Sequence, residues 1–552
     1  MKKMLMICSL LLSAACTFAQ PGWVKKATKS VFTLKTFAAD GSLVASSNGF
    51  FTGTDGEAVS NFTPFKGAAR AVVIDAQGKE MPVVSIIGAN DMYDVVKFRV
   101  AGKTTPLIVS SSVAPTGSTA WLLPYHELKA KGGAVRKAET FQNDYAYYTV
   151  AMTMPQNTVS CPLLNDGGEV IGMMQQPASD KDTLSYAVSA RFADSLKISA
   201  FGMNDATLML TSIKKELPSD IKDATLALFL ASSQLDSAAY VTLVGDFIQK
   251  FPQASEGYLY RAQLATADGN FASAEKDMET VLKLAEKKDE AHYSYANMIY
   301  NKEIFQSNKP YANWNFDKAL AEIQAAIVAN PQPAYNQLKA NILYAQQKYD
   351  DAYAIYDELS HTSMHNAETF YAAAKCKEML KDTTAMLALL DSTMATFSKP
   401  YLKEAAPYIW ARAEARSNAG KYRDAVNDMN DYEELMQASI NDNFYYVRHQ
   451  TEIQARLYQQ ALNDINRAIQ INPQETLYYA EKASLCIRVG YFDAAIETAR
   501  ESIGIDANDS DGYLFLGLAQ CLKGNKKEGI PNLQKAQELG NPQAANLIQK
   551  YQ

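Results

Sequence analysis

The chain has 552 residues, too many for one hydrophobic core, so two or more domains are expected. A content of 47% apolar and 20% charged residues excludes extensive disorder. The net charge of −7 comes without any Lys/Arg cluster, so a nucleic-acid partner is not expected.

In chain order, residues 1–19 read first, as a signal peptide. Lys2 and Lys3 precede the apolar stretch LMICSLLLSAA, and the small residues Thr17 and Ala19 suit cleavage before Gln20. A lipoprotein alternative stays open. Ser13-Ala14-Ala15-Cys16 resembles a lipobox with its leucine one place early, at Leu12, and a lipidated Cys16 would attach the chain to a membrane. No later stretch approaches the ~20 apolar residues of a membrane span. The product is expected to be exported, to a bacterial periplasm or outer surface. Beyond the leader, Cys161, Cys376, Cys486 and Cys521 are far apart and outside any CxxC pair. Neither a zinc site nor a disulfide scaffold is therefore expected. Nothing in the pattern calls for a cofactor.

Residues 22–200 read as short strands. SVFTLKTF, AVVID, VVSII, DVVKFRV, AYYTVAM and EVIGMM are rich in β-branched and aromatic residues, and Asp40-Gly41, Asp55-Gly56, Gln77-Gly78 and Asp166-Gly167-Gly168 separate them. This spacing predicts an all-β barrel or sandwich. Within it, Ser47-Asn48-Gly49-Phe50-Phe51, Val59-Ser60-Asn61-Phe62-Thr63, Asp91–Lys97, PLLNDGGEVIGMM and Tyr186-Ala187-Val188 occur in order. In order and spacing they resemble the trypsin-like serine proteases of the HtrA/Deg type. The resemblance implies a double β-barrel and places the catalytic columns. Thr63 stands where the histidine would be, Asp94 where the aspartate would be, and Val159 where the nucleophile would be. Asn157, Ser160 and Cys161 replace the three glycines of the nucleophile loop.

A serine nucleophile needs a base within reach and a third group to orient that base. Thr63 is no base and Val159 has no nucleophilic atom. Only Asp94 remains, so no catalytic residue is expected and the domain reads as inactive. The alternative is an atypical endopeptidase using Ser160 or Cys161, with His126 as its base. Residues 201–217 read as a linker.

From 218 to 552 the period becomes helical and repeats. GNFASAEKDMETVL, NFDKALAEIQAAIVANP, GKYRDAVNDM and GYFDAAIETARESI are clear units. A small residue recurs at Ala274, Ala319, Ala352, Ala425, Ala461, Ala495 and Gly529, and another twelve places earlier at Ala262, Ala340, Ala413, Ala483 and Gly517. This resembles the tetratricopeptide repeat, with a period of about 34 residues. About eight units are expected, closed by a capping helix near 542–551, with a looser register at 367–397 and an insertion within 301–314. The fold class is thus an all-β trypsin-like double barrel followed by an all-α tetratricopeptide repeat solenoid. Such arrays offer a concave face, so a protein or peptide partner is expected there. Tyr344, Tyr371, Trp410 and Tyr446 are the candidate anchors, with ordinary packing between repeats as their competing role. The inward positions lack the Lys/Asn set by which some arrays clamp a terminal carboxylate. Lys375 and Arg488 are isolated candidates for that task.

Overall fold

The computed structural model describes residues 20–552 except 126, 128, 143, 178, 180 and 181, and Met203 through its backbone. The expected leader, Cys16 and His126 lie outside the described residues. The chain forms two compact units, one ending at Ala285 and the other beginning at Glu286.

The first unit opens with a short helix α1 (Val24–Ala27) and then twelve strands. β1 (Val31–Phe37), β2 (Leu43–Phe51), β3 (Glu57–Ser60), β4 (Arg70–Ile74), β5 (Glu80–Asn90) and β6 (Val95–Val100) close a barrel in the order β1-β2-β3-β6-β5-β4. β7 (Thr119–Leu122), β8 (Lys131–Phe141), β9 (Tyr145–Ala151), β10 (Pro162–Leu164), β11 (Val170–Met174) and β12 (Ser185–Ser189) close a second, β7-β8-β9-β12-β11-β10. The two orders are the same topology twice. Closure leaves no sheet edge unpaired, and every predicted strand segment lies in one of the barrels. Phe32, Phe51, Phe65 and Phe98 fill the first barrel, and Leu122, Val135, Tyr148 and Leu163 fill the second.

A helical turn α2 (Phe192–Ser195) ends the barrels. The segment expected as a linker, 201–217, is folded against barrel one. Ser212 N–H donates to the Ala68 carbonyl, and Ile86 exchanges backbone hydrogen bonds with Lys214 and Glu216 at 2.8 Å each. Leu208 and Ile213 are buried in the barrel's own core. Glu216 then accepts from Arg99 of β6 and from Lys250, while Lys214 pairs with Asp246.

Helices follow: α3 (Ile221–Ala231), α4 (Ser237–Lys250), α5 (Ser255–Ala267) and α6 (Phe271–Leu284) complete the first unit. The second unit holds α7 (Lys288–Phe305), α8 (Phe316–Ala329), α9 (Pro333–Ala345), α10 (Tyr349–Ser360), α11 (Ala367–Met379), α12 (Thr383–Ala395), α13 (Ala406–Asn418) and α14 (Tyr422–Met436). It continues with α15 (Asp442–Gln454), α16 (Tyr458–Ile471), α17 (Thr476–Arg488), α18 (Phe492–Ile505), α19 (Ser510–Leu522), α20 (Lys526–Glu538) and a final α21 (Ala544–Tyr551). From α5/α6 to α19/α20 these are helix pairs of the expected kind, and α21 falls at the expected cap.

The repeat's local chemistry accounts for each pair. Asn270, Asn315, Asn366, Asp382 and Asn441 accept from the first-turn N–H groups of the helix they precede. First helices end two residues before a left-handed residue: Gly269, Gln347, Lys381, Gly420, Arg456, Gly490 or Gly524, with φ between 60° and 94°. The following N–H then closes back on the helix at 2.7–2.9 Å, a Schellman end made even where glycine is missing. The recurring alanines are fully buried between paired helices. In the last pair a Cβ on Gly517 would lie 2.7 Å from the Gly529 carbonyl, so only glycine permits that approach. The insertion after α7 is anchored by Trp314, which is buried and donates to the Tyr295 hydroxyl at 3.3 Å.

Candidate functional site

The residues that the protease resemblance picks out, Thr63, Asp94 and the 157–161 loop, are linked in one hydrogen-bonded cluster. Asp94, in the turn just before β6, holds a left-handed conformation, φ 49°. Its Oδ1 accepts from the Thr63 N–H at 2.6 Å and from Thr63 Oγ1 at 2.9 Å. Its Oδ2 accepts from Asn61 Nδ2 at 3.3 Å. The other end of the Asn61 carboxamide faces the 157–161 loop, where Oδ1 accepts from Ser160 Oγ at 2.8 Å. The Asn61 N–H also donates to Ser160 Oγ, at 3.0 Å, and Ser47 Oγ donates to Asn61 Oδ1 at 2.7 Å. The order is therefore Asp94–Asn61–Ser160, with a carboxamide between acid and hydroxyl. A carboxamide donates through nitrogen and accepts through oxygen, but takes up no proton at neutral pH. Ser160 is fully buried, and Thr63 is exposed beside Asp94.

The loop keeps a tight backbone without its glycines. Asn157 and Ser160 hold φ 57° and 64°, a region costly for residues with a Cβ. Asn48 of β2 secures it, donating Nδ2 to the carbonyls of Asn157 at 2.7 Å and Val159 at 3.3 Å. The Ser160 N–H donates to the Met174 carbonyl at 2.8 Å. The half-buried Val159 side chain offers no polar atom. Cys161 is fully buried, and that burial pushes its thiol up to about 12, far from the thiolate a cysteine nucleophile needs. Asn61 and Asn48 were not singled out by the sequence. The Val59-Ser60-Asn61 stretch that carries the protease resemblance already contained the first of them.

In the helical unit a groove of about 650 Å³ runs across α11, α13 and α15, with Met386 and Leu390 of α12 reaching into it. An adjoining hollow of about 480 Å³ continues it over α15 and α17, past Gln450, Glu481 and Arg488. Tyr371 lines the groove and packs on Tyr408, ring centres 5.3 Å apart. Tyr344 packs on Tyr349 at 5.2 Å, Trp410 on Tyr432 at 5.2 Å and Phe444 at 5.9 Å, and Tyr446 on Tyr478 at 5.4 Å. All four anchors are half-buried in such contacts. Lys375 lines the groove paired with Glu378. The groove lies at the loosened repeat, where Met386 takes the small-residue place. Among the described residues no group of three or more His, Cys, Asp or Glu is placed to hold a metal, and no helix is long and apolar enough to cross a membrane.

No family model matches the chain. Small glutamine-rich tetratricopeptide repeat-containing protein 2 of Saccharomyces cerevisiae is 27% identical over 93 residues, 17% of this chain and 27% of that protein. Its namesake in Mycosarcoma maydis is 29% identical over 85 residues, 15% and 24% of the two chains. The TPR repeat-containing thioredoxin TDX of Arabidopsis thaliana is 27% identical over 82 residues, 15% of this chain and 22% of that one. The chain thus spans about a quarter of the length of these curated relatives. Among solved structures it is similar to the active form of the Rv3671c protease from M. tuberculosis, with 18% identity, covering 32% of this chain and 86% of that one at a TM-score of 0.28. It is also similar to the serine endoprotease from Yersinia pestis, with 14% identity, covering 31% and 62% at a TM-score of 0.27. By its own topology the chain joins a trypsin-like double barrel to a tetratricopeptide repeat array.

Proposed function

We propose that this is an exported interaction or scaffold protein in which the barrel half is a protease fold without peptidase chemistry and the repeat array binds a protein or peptide along its groove. The observation that carries the reading is the Asp94–Asn61–Ser160 chain. The group between acid and hydroxyl cannot accept the proton that a nucleophile must lose. Ser160 is moreover sealed from solvent, Val159 offers no nucleophilic atom, and the buried Cys161 thiol stays protonated at neutral pH.

The test is incubation of the mature protein with casein and with serine- and cysteine-directed covalent probes. No cleavage and no labelling are expected. Cleavage or labelling that disappears in Ser160→Ala or Cys161→Ala would establish the alternative, an atypical endopeptidase whose repeats recruit substrate. Export rests on the leader-like residues 1–19. Mass spectrometry of the mature amino terminus tests it: a chain beginning at Gln20 is expected, and a diacylated Cys16 would make the protein a lipoprotein instead.

A further inference from the structure

Helix α15 has two faces of different character. Val447, Gln450, Thr451 and Gln454 line the groove. Arg448, His449 and Glu452 are turned inward and are no more than 3% exposed. Ionisable groups so buried are costly unless each is compensated. Arg448 is compensated. Its Nε and Nη2 donate to Asp464 of α16 at 2.6 and 3.0 Å, and its Nη1 donates to Glu433 of α14 at 2.6 Å. Arg467 of α16 also reaches Glu433, at 2.7 Å. Two arginines thus balance two carboxylates, and no cation of this cluster is left for Glu452.

The remaining polar atoms show the imbalance. Neither Glu452 Oε2 nor His449 Nε2 has a hydrogen-bond partner among the described residues. His449 Nδ1 lies 2.8 Å from the Ala461 carbonyl, which places the imidazole proton on Nδ1. Glu481 of α17 approaches His449 Nε2 only to 3.9 Å. A neutral Glu452 carboxyl has a hydrogen to share with Asp464. An ionised one sets a second carboxylate beside Asp464, with Arg448 already committed.

We propose that α15 is a proton-operated element, packed on α16 while the Glu452 carboxyl is neutral and loosened, together with the groove it lines, when that carboxyl ionises. Burial first, and then the neighbouring Asp464, pushes the Glu452 carboxyl up to about 8, against a partial opposing pull from Arg448. The sign follows from linkage. The stabilising contribution is full below the ordinary carboxylate range, where packed and opened forms both hold the proton. It falls as pH rises, and levels off once the packed form ionises near 8. What this does to a bound partner rests on the groove reading above; the loosening of α15 itself does not.

Hydrogen exchange of the α15 amides in the full chain tests the proposal between pH 5.5 and 8.5, corrected for intrinsic exchange rates. Relative to Glu452→Gln, which mimics the neutral acid, the wild-type opening equilibrium should rise by up to tenfold per pH unit up to about 8. A flat ratio would overturn the proposal. Should Glu452→Gln fail to fold, infrared spectroscopy of the wild type decides. A protonated carboxylic C=O band at pH 7 that vanishes above pH 8 is expected, and its absence at pH 7 would sink the idea.

Discussion

The most informative residue is Asn61. Its carboxamide spans from Asp94 to Ser160, tying β3 to the turn before β6 and to the 157–161 loop. Ser160→Ala leaves the buried Asn61 N–H and Oδ1 each without the hydroxyl. It should destabilise the barrels by about 1–3 kcal/mol, read from denaturant unfolding. Ser160→Gly loses the same hydroxyl but relieves the strain of φ 64°, so it should cost less than alanine. Equal costs for the two would show that the loop stores no strain. Thr63, Asp94 and Val159 could be placed in sequence because each sits in a short local pattern. The hydrogen bonds by which Asn61 joins Asp94 and Ser160 cross 33 and 99 residues, and no local pattern encodes such a pairing. The seal over Ser160 is likewise a property of packing, which no local pattern in the sequence announces.

Among elements, the paired helices carry a device beyond their small-residue contacts. Arg261–Asp277, Arg412–Asp428 and Arg448–Asp464 are fork-to-carboxylate pairs from the first helix of a pair to its second, each spanning sixteen residues. Arg416 joins Arg412 on Asp428, which is almost fully buried. Asp428→Ala leaves Arg412 and Arg416 only the exposed Asp391 carboxylate and should cost about 3–5 kcal/mol in unfolding of the second unit. A loss below 1 kcal/mol would show that solvent already screens the pair. Gly529→Ala should also destabilise, by about 1–3 kcal/mol, because its Cβ would meet the Gly517 carbonyl and Cys521 Sγ. The period of small residues was readable without a structure because it repeats along one helix face. The acid–base pairs were not, since an exposed-looking arginine on a helix does not announce its partner. The four aromatic anchors show the limit of periodicity. Spacing alone put Tyr344, Tyr371, Trp410 and Tyr446 on first helices, whereas only side-chain geometry shows how much of each ring neighbouring rings cover.

At the scale of the molecule, the division between barrel and helices falls elsewhere than composition suggests. Residues 201–217 lack either period and therefore read as a connection, yet Leu208 and Ile213 complete the core of barrel one. Ile213→Ala should lower barrel stability by about 2–5 kcal/mol, visible as earlier exchange of β1–β6 amides. A free connection would give no change. Glu216 and Lys214 bind the same segment to Lys250 and Asp246 of α4, so the barrels and the first helices share one folded unit.

The backbone pairing of Ile86 with Lys214 and Glu216 has a mechanical consequence. The chain leaves barrel one for the helices directly after these bonds, and the bridge at Ile86 and Lys215 is parallel. Tension drawn along the chain from the helices therefore enters barrel one through this clasp on β5. The clasp is thus the first attachment to barrel one that such a load meets along the chain.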